Sequence, residues 1–230
     1  AVLAALRRWD VATAGRADRY LANSRFVAGR IRRYYGRDAE VVPPPVDTAF
    51  FTLAEESVPR EHVLMVAALA PYKKVDLAIQ ACARSGTPLV VVGEGPERAR
   101  LERLAGPGVR FAGRVSREEL RNLYRRAICF LQPGIEDFGI AAVESLACGA
   151  PVVARRAGGV LDIVTDGVEG VLFDEDRPEA IAAAVDKCRP IQFNPLNLRD
   201  RAEGFSTERF ARRIEERVIV DWPAAEGFFA

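Results

Sequence analysis

The stretch GIEDFGIAAVESLACGAPVVA, residues 134–154, decides how the chain folds. It reads as a loop, a helix, a glycine turn and a strand, and it follows the apolar run AICFLQ at residues 127–132. Glu136 and Glu144 stand eight residues apart in it, although carboxylates are costly to bury without partners. Either both carboxylates face water, or a ligand that needs carboxylates lies between them.

The chain from residue 60 onward alternates short apolar runs with helical patterns. The runs are rich in Val, Ile or Phe and most are bounded by Gly or Pro, as expected of buried parallel strands. Ser116 with Glu119 three residues later, and Pro178 early in its segment, indicate two helix starts. This alternation predicts an α/β fold, a doubly wound Rossmann-like domain over about residues 60–190. The predicted strands are HVLMVAAL, PLVVVG, VRFAG, AICFLQ, PVVA and GVLF.

Further elements flank this domain. Before it, DRYLANS and AEVVP are predicted strands on either side of the helix SRFVAGRIRRYYG. The segment PPPVD then predicts a stiff, extended exit, because proline fixes its own backbone and restricts the residue before it. After the domain, FSTERFARRIEERV is typical of an amphipathic closing helix.

Composition limits the class of protein. The 230 residues are 49% hydrophobic, the mean hydropathy is −0.02, and no apolar run approaches the ~20 residues that span a bilayer. The four cysteines lie far apart without C-x-x-C spacing, which predicts reduced, buried thiols in a cytoplasmic protein rather than a zinc or redox site. They are Cys82, Cys129, Cys148 and Cys188.

The net charge of +1 is unevenly spread, because residues 1–40 hold nine arginines and four acidic residues. One interpretation is a solvated helix face. The other is a basic surface that meets an anionic membrane or a phosphorylated acceptor. Nothing in the pattern predicts a nucleic-acid partner.

Several familiar chemistries do not fit the sequence. VVVGEGPER resembles the start of a dinucleotide fingerprint, but Arg98 stands at its third glycine position, which argues against a nicotinamide or flavin cofactor. Asp174 and Asp176 in FDEDRP are predicted to end a strand and cap the next helix rather than bind a metal. His62 is the only histidine and begins a predicted strand without a nearby nucleophile, so a serine or cysteine triad is not expected.

The opening stretch has the local chemistry of a sugar-nucleotide site. Glu136 is expected on the loop that leaves the strand AICFLQ, at the carboxyl edge of the sheet where open α/β folds bind ligands. Gly139 lets the backbone approach a ligand closely. The helix that follows points its free N–H groups into the same crevice, which suits a diphosphate. Glu144, two turns further on, is expected to accept hydrogen bonds from ribose hydroxyls.

The motif E-D-F-G-I-x-x-V-E followed by A-C-G-x-P-V-V-A resembles the E-x7-E signature of retaining glycosyltransferases of the GT-B fold, in particular glycosyltransferase family 4. Further blocks follow in family order, so the resemblance covers about residues 17–215. They are ADRYLANSRFVAGRIRRYYGRDAEVVPPPVDT, LMVAALAPYKKVDLAIQA, VVVGEGPERARLERLA, VRFAGRVSREELRNLY and RRAGGVLDIVTDGVEGVLF.

The resemblance implies a division of the chain. Residues 1–46 would be the carboxyl-terminal remnant of the family's amino-terminal, acceptor-binding Rossmann-like domain, and residues 47–60 the linker. Residues 61–200 would form the nucleotide-sugar-binding Rossmann-like domain, and residues 201–230 a closing helix and tail. Since most of the acceptor domain is then missing, we expect an exposed apolar surface near residues 1–35. We also expect this fragment to bind donor but to transfer sugar poorly.

The resemblance also implies site residues. Glu136 would bind hydroxyls of the donor hexose, Glu144 would hold the ribose, and Lys73 in PYKKVD would neutralise the departing diphosphate. Glu136 and Lys73 are therefore the predicted catalytic residues. The other predicted donor-binding residues are the backbone N–H groups of Phe138, Gly139 and Ile140, the turn Gly113-Arg114-Val115 near the base, Lys74, and the bordering turn Gly158-Gly159.

One position departs from the family pattern. Many members carry an arginine beside Gly or Ser in the strand before the lysine, and it grips the diphosphate; here that place reads Ala67-Ala68-Leu69. Lys74 and Arg114 are candidates to replace the missing cation. The A-L-x-P-Y-K version resembles mannosyltransferase-like members, which favours a GDP-mannose-type donor.

The expected activity is transfer of a hexose, with mannose favoured, from a GDP- or UDP-linked sugar to a glycan or lipid-linked acceptor with retention of configuration. No metal or other cofactor is expected. The location typical of the resembled family implies a cytoplasmic protein that contacts the anionic inner face of the membrane peripherally. The alternatives are a non-catalytic nucleotide-sugar-binding protein and a GT-B nucleotide-sugar epimerase. A phosphorylase is disfavoured, because no pyridoxal lysine motif is found.

Overall fold

The architecture is a six-stranded parallel sheet with helices on both faces, preceded by a small two-stranded unit. The computed structural model describes residues 2–221. Its helices are α1 Val2–Thr13, α2 Arg25–Tyr35, α3 Val75–Ser85, α4 Arg98–Leu104, α5 Arg117–Arg125, α6 Ile140–Ala147, α7 Pro178–Cys188, α8 Pro195–Glu203 and α9 Thr207–Asp221. Its strands are β1 Leu21–Ala22, β2 Glu40–Val41, β3 His62–Val66, β4 Leu89–Val92, β5 Val109–Gly113, β6 Ala127–Gln132, β7 Val152–Arg155 and β8 Gly170–Phe173.

The strand order of the large sheet is β5-β4-β3-β6-β7-β8, with every neighbouring pair parallel. The chain moves outward from β3 to β5, returns to the middle, and then moves outward the other way from β6 to β8. The predicted doubly wound Rossmann-like fold is therefore confirmed. The order reverses between β3 and β6, so the carboxyl ends of these two strands border the crevice where such sheets bind ligands.

Two hydrophobic layers cover the sheet. On one face α5, α6 and α8 contribute buried residues such as Tyr124, Leu146 and Leu198. On the other face α3, α4 and α7 contribute buried residues such as Ile79 and Ile181. The strands are buried on both faces, which is why they read as continuous apolar runs rather than alternating ones.

The predicted helix signals are largely found in place. The Ser116 hydroxyl accepts a hydrogen bond from the Glu119 N–H at 3.1 Å, and Pro178 is the first residue of α7. The cap predicted in FDEDRP is wrong: Arg177 occupies the N-cap of α7 and no side chain caps it. Asp174 and Asp176 instead form ion pairs with cationic side chains around them.

Helix α8 was not predicted, and it crosses residue 200, where the sequence placed a domain boundary. Asn194 caps this helix by accepting from the Leu196 N–H at 2.9 Å. Leu198 and Ala202 are buried in the same core as α6, so α8 is part of the sheet domain's outer layer. The helix predicted at the end is found as α9, and the tail that follows it, residues 222–230, lies outside the described residues.

The small amino-terminal unit contains the predicted pair of strands, β1 and β2, which are parallel, and the predicted helix α2. Helix α1 precedes it without a buried residue, so the expected exposed apolar surface is found. None of the helices described over residues 2–221 is both long and apolar enough to cross a bilayer. The exposed hydrophobic side chains of α1 are Val2, Leu3, Leu6, Trp9 and Val11.

The thiols and the single histidine are structural. All four cysteines are free and buried, as predicted. His62 begins β3, is buried, and its Nε2 lies 3.1 Å from the Leu123 carbonyl oxygen. Burial lowers the pKa of His62 and raises that of Cys82 to about 12, because both charged forms lose solvation.

Candidate functional site

A cavity of about 380 Å³ opens at the point where the strand order reverses. Its lining comes from the ends of β3 and β6, the loops that follow them, and the first residues of α6. Because both strands are parallel and adjacent, their following loops emerge side by side. The cavity therefore lies where the topology predicts a ligand site, and it contains Lys73 and Glu136.

Lys73 and Glu136 form an ion pair across the cavity through Lys73 Nζ and Glu136 Oε1. The side chains are only 16% and 25% exposed, so the pair is largely removed from water. Lys73 ends the 3₁₀ turn Pro71–Lys73. Gly134 makes this approach possible, because a Cβ there would lie 2.7 Å from the Tyr72 carbonyl oxygen. The two predicted catalytic residues are thus brought together.

Helix α6 begins at the cavity with an open end. Gly139 occupies its N-cap at φ 107°, a left-handed conformation that favours glycine. The first N–H groups of a helix have no partner one turn earlier, so they are available to an anion. Phe138 is buried against Phe205, with ring centroids 5.5 Å apart, so only its backbone can face a ligand. Ile140 is 45% exposed at the start of the helix.

Glu144 lies one turn further along α6 and does not line the cavity. Its Oε2 accepts a hydrogen bond from the Tyr124 hydroxyl at 2.8 Å. Burial raises the pKa of Glu144, outweighing the hydrogen bond from Tyr124 and the nearby charge of Arg117. The charged carboxylate is therefore poorly solvated and would gain from further hydrogen-bond donors.

The turn Gly158-Gly159 lies behind the loop that carries Glu136 rather than inside the cavity. A Cβ at Gly159 would lie 2.2 Å from the Asp137 carbonyl oxygen and 2.3 Å from the Phe138 Cα. The Gly159 N–H donates to the Glu136 carbonyl oxygen at 2.8 Å. The glycine pair thus borders the site. It lets its own backbone pack directly against residues 136–138 and so holds the Glu136 loop in position.

Helix α2 braces the same loop from the other side. The buried Ser24 hydroxyl donates to the Asp137 carbonyl oxygen at 2.5 Å, and Arg30 pairs with the Asp137 carboxylate at 2.7 Å. The backbone N–H of Arg25 donates to Asp162 at 2.6 Å. These contacts join residues more than 100 positions apart, so no local sequence signal could have revealed them.

Two candidate replacements for the missing arginine lie elsewhere. Lys74 Nζ pairs with Asp176, and neither Lys74 nor Arg114 lines the cavity. The prediction that either one substitutes for the absent cation at the phosphates is therefore not supported by their placement. Ala67 does line the cavity, and Lys73 is the one Lys or Arg among the described residues that do so.

The turn Gly113-Arg114-Val115 follows β5, two strands away from the reversal point. Gly113 has φ 67°, and a Cβ there would lie 2.8 Å from Glu94 Oε1. Val115 packs on the core layer that contains Tyr124 and α6. The turn therefore lies along the same carboxyl edge of the sheet as the cavity, on the β5 side, without lining it.

Three polar residues of the cavity were missed by sequence reasoning: Asn23, which precedes α2, Gln132, which ends β6, and Asp137, which follows Glu136. Gln132 carried a usable signal, since it is a polar residue at the carboxyl end of an otherwise apolar buried strand. Asn23 carried none, because its neighbours in space are distant in sequence.

A second, larger cavity of about 720 Å³ lies near the opposite edge of the sheet. The linker residues 53–58 line it together with residues near the starts of β3, β6 and β7. Arg60 lies there and donates to the carbonyl oxygens of Ala127 and Gly149. No residue predicted for donor binding lies in this cavity.

Residues 53–202 match the family model described as glycosyl transferases group 1. The chain therefore belongs to this family of glycosyltransferases. It is 35% identical to the D-inositol 3-phosphate glycosyltransferase of Acidothermus cellulolyticus over 226 aligned residues, which cover 79% of this chain and 50% of that protein. It is 44% identical over 128 residues to the GDP-mannose-dependent alpha-(1-6)-phosphatidylinositol dimannoside mannosyltransferase of Mycobacterium tuberculosis, covering 54% of this chain and 33% of that protein.

Solved structures share the fold. Anabaena HepE in complex with UDP and glucose superposes with a TM-score of 0.81 at 22% identity, covering 92% of this chain and 66% of that one. Sucrose-phosphate synthase from Thermosynechococcus elongatus gives a TM-score of 0.82 at 23% identity, covering 95% of this chain and 62% of that one. The chain spans about half the length of the curated relatives that it matches.

Replacing Gly159 by Ala should displace the loop that carries Glu136, because the new Cβ has no room beside Asp137 and Phe138. We expect the free energy of unfolding to fall by about 1–3 kcal/mol, the usual cost of overpacking. Urea unfolding of the purified chain measures it. Gly29→Ala is the matched control: nothing lies within 4 Å of its new Cβ, so stability should hold or rise. Equal effects of the two changes would contradict this account.

Replacing Glu144 by Gln should stabilise the ligand-free chain more at pH 7 than at pH 4. Burial raises the folded-state pKa of Glu144 above its ordinary value of 4.5. Ionised Glu144 therefore lowers the free energy of unfolding, and this loss of stability grows as the pH rises from 4 to 7. Glutamine lacks the charge and still accepts from Tyr124. Urea unfolding at the two pH values measures the difference.

Glu61→Gln is the control for that experiment and should show the opposite sign. A hydrogen bond from Arg126 lowers the pKa of Glu61, so its contribution to stability is present above its ordinary pKa and is lost on acidification. A Glu144→Gln effect that is the same at both pH values would refute the assigned cause.

Proposed function

We propose that this chain is the donor-binding part of a retaining GT-B glycosyltransferase of family 4. It would transfer a hexose from a nucleoside diphosphate sugar to a glycan or lipid-linked acceptor. The observation that carries the proposal is the Lys73–Glu136 ion pair, set in a cavity at the reversal point of the sheet beside the open end of α6. A site for a sugar and a diphosphate needs these groups together, a carboxylate for hydroxyls and positive charge for phosphates.

The chemistry follows from where charge develops. As the bond between the hexose and the diphosphate breaks, negative charge grows on the leaving oxygen. Lys73 Nζ and the first N–H groups of α6 would stabilise that charge, since they are fixed in position before reaction. Glu136 would accept hydrogen bonds from hexose hydroxyls and hold the anomeric carbon at the cavity mouth. The ion pair would hold both side chains in place before the donor arrives.

The rest of the donor would extend toward β5. Glu144 would hold the ribose hydroxyls, and the turn Gly113-Arg114-Val115 would meet the base through its backbone. Support comes from their common position along the carboxyl edge of the sheet and from the poor solvation of Glu144, which a pair of hydroxyl donors would relieve. Retention would follow if the leaving diphosphate takes the acceptor proton on the same face, with no metal needed.

Mannose is the favoured donor sugar and GDP the favoured nucleotide. The support is the A-L-x-P-Y-K sequence at residues 68–73 and the 44% identity to a relative that is GDP-mannose-dependent by name. The other relative named above is by name a D-inositol 3-phosphate glycosyltransferase, and HepE was solved with UDP and glucose. A cytoplasmic protein with peripheral contact at an anionic membrane remains part of the proposal, supported by the arginine-rich residues 1–40 and the exposed apolar side chains of α1.

Nucleotide binding tests the donor site in this chain alone. A nucleoside diphosphate at 100 times its Kd should add about 2.7 kcal/mol to the free energy of unfolding, which raises Tm by roughly 5–10 °C in a domain of this size. GDP, UDP, ADP and their mannose and glucose conjugates are compared by thermal unfolding. Glu136→Ala should reduce the shift given by the sugar conjugate.

Glu61→Ala is the matched control, since Glu61 also forms an ion pair with a basic residue but precedes β3 at the opposite edge of the sheet. It should leave the ligand-induced shift unchanged. A folded chain whose Tm responds to none of these nucleotides would refute the donor site.

Turnover by the full-length protein that contains this chain tests the reaction. Lys73→Ala should lower kcat for transfer from a labelled nucleotide sugar by about 10²–10³-fold, the usual loss when a group that stabilises developing charge is removed. Lys187→Ala, an exposed lysine of α7, should leave kcat unchanged. Binding without any turnover would instead favour a non-catalytic nucleotide-sugar-binding protein, and isomerised donor would favour an epimerase.

A further inference from the structure

Gln132 carries a hydrogen-bond donor that has no partner. It ends β6, is only 6% exposed, and lines the cavity that holds Lys73 and Glu136. Its Nε2 is buried and makes no hydrogen bond within the described part of the chain. A buried donor without a partner costs about 1–3 kcal/mol, so native proteins rarely keep one without a use. None of the roles derived above employs this side chain.

The Gln132 amide lies at the start of α6. A Cβ at Gly139 would lie 3.0 Å from Gln132 Oε1 and 3.6 Å from Nε2, so the amide stands directly beside the N-cap of the helix. The absence of a side chain at Gly139 is therefore what gives the amide its space. The two features, an amide donor and an open helix end, meet at one point of the cavity.

The charge balance of the cavity shows what is missing. Lys73 is the one basic residue among its described lining residues, and it is paired with Glu136, while Asp137 in the same lining pairs with Arg30 outside it. A diphosphate brings at least two negative charges to this site. With Ala67 and Ala68 in place of a cation, a single lysine that is already paired with Glu136 leaves phosphate oxygens in need of further donors.

We infer that Gln132 is a further donor-binding residue, whose side-chain amide donates a hydrogen bond to a diphosphate oxygen of the bound nucleotide sugar. The inference rests on the proposed function and extends it to a residue outside the E-x7-E motif. A hydrogen bond from a neutral amide to a charged oxygen is stronger than one between neutral groups. Ligand binding would also give the unpaired amide a partner. Both the new hydrogen bond and the removal of an unsatisfied buried donor would then favour binding.

The test compares Gln132→Met with the unchanged chain. Methionine keeps the length and flexibility of the side chain but removes the amide. In the absence of ligand the variant should be as stable as the original or more so, because a buried donor without a partner has been deleted. Calorimetric titration should show affinity for the nucleoside diphosphate lowered at least tenfold, while affinity for the corresponding monophosphate changes less than twofold.

Two further variants keep the result interpretable. Gln132→Glu retains the shape of the side chain and should weaken diphosphate binding more than methionine does, because a carboxylate repels phosphate. Gln80→Met, on the exposed face of α3, is the matched control and should change neither stability nor affinity.

The outcomes separate the inference from the proposed function. Failure of the unchanged chain to bind any nucleoside diphosphate would overturn both. Binding by the unchanged chain with unaltered affinity in Gln132→Met would overturn the inference alone. A loss seen only with the sugar conjugate would also overturn it, because the amide would then serve the hexose. Lower stability with unaltered affinity would show that Gln132 is structural.

Discussion

The reversal of strand order between β3 and β6 is the constraint on which the rest of the structure depends. Parallel strands need crossover helices, and right-handed crossovers place the helices on opposite faces once the chain changes direction. The two loops at the reversal point are then left uncovered by any crossover. Lys73 follows one of these strands and Glu136 follows the other. Their ion pair is a consequence of topology, since their segments are otherwise far apart in the chain.

Glycines set how closely the loops around the cavity approach each other. Because Gly134 has no side chain, the turn that carries Lys73 can pack against it, and Gly159 likewise lets the loop that carries Glu136 pack closely. Gly95 plays the same part beside Leu69, where a Cβ would lie 2.5 Å from the Leu69 carbonyl oxygen. Gly93 lies beside Ala67, a lining residue of the cavity, where a Cβ would be 2.0 Å from the Ala67 carbonyl oxygen. The glycines of VVVGEGPER therefore support the edge of the cavity through backbone contact, in a chain without a dinucleotide fingerprint.

The cavity has few groups that can balance the charge of an anionic ligand. Among the described residues that bound the cavity, positive charge is limited to Lys73 and the start of α6. Two polar groups there remain poorly satisfied: the half-buried carboxylate of Glu144 and the buried amide of Gln132. Both lie on or beside the elements that bound the cavity. An unfilled site of this kind stores unfavourable free energy in the empty protein, which a suitable ligand releases on binding.

The sequence by itself determined the alternation of strands and helices and the helix starts at Ser116 and Pro178, because burial and local capping depend on near neighbours in the chain. It missed α8, whose weakly apolar pattern is decided by packing on α6. Its assignments of Lys74 and Arg114 to the phosphates stay predictions, and neither residue lines the cavity, since nothing local says which way a side chain points. The tertiary structure alone decided the Lys73–Glu136 pair, the brace from α2 and the unpartnered amide of Gln132. Each of these depends on residues that only the sheet's topology brings together.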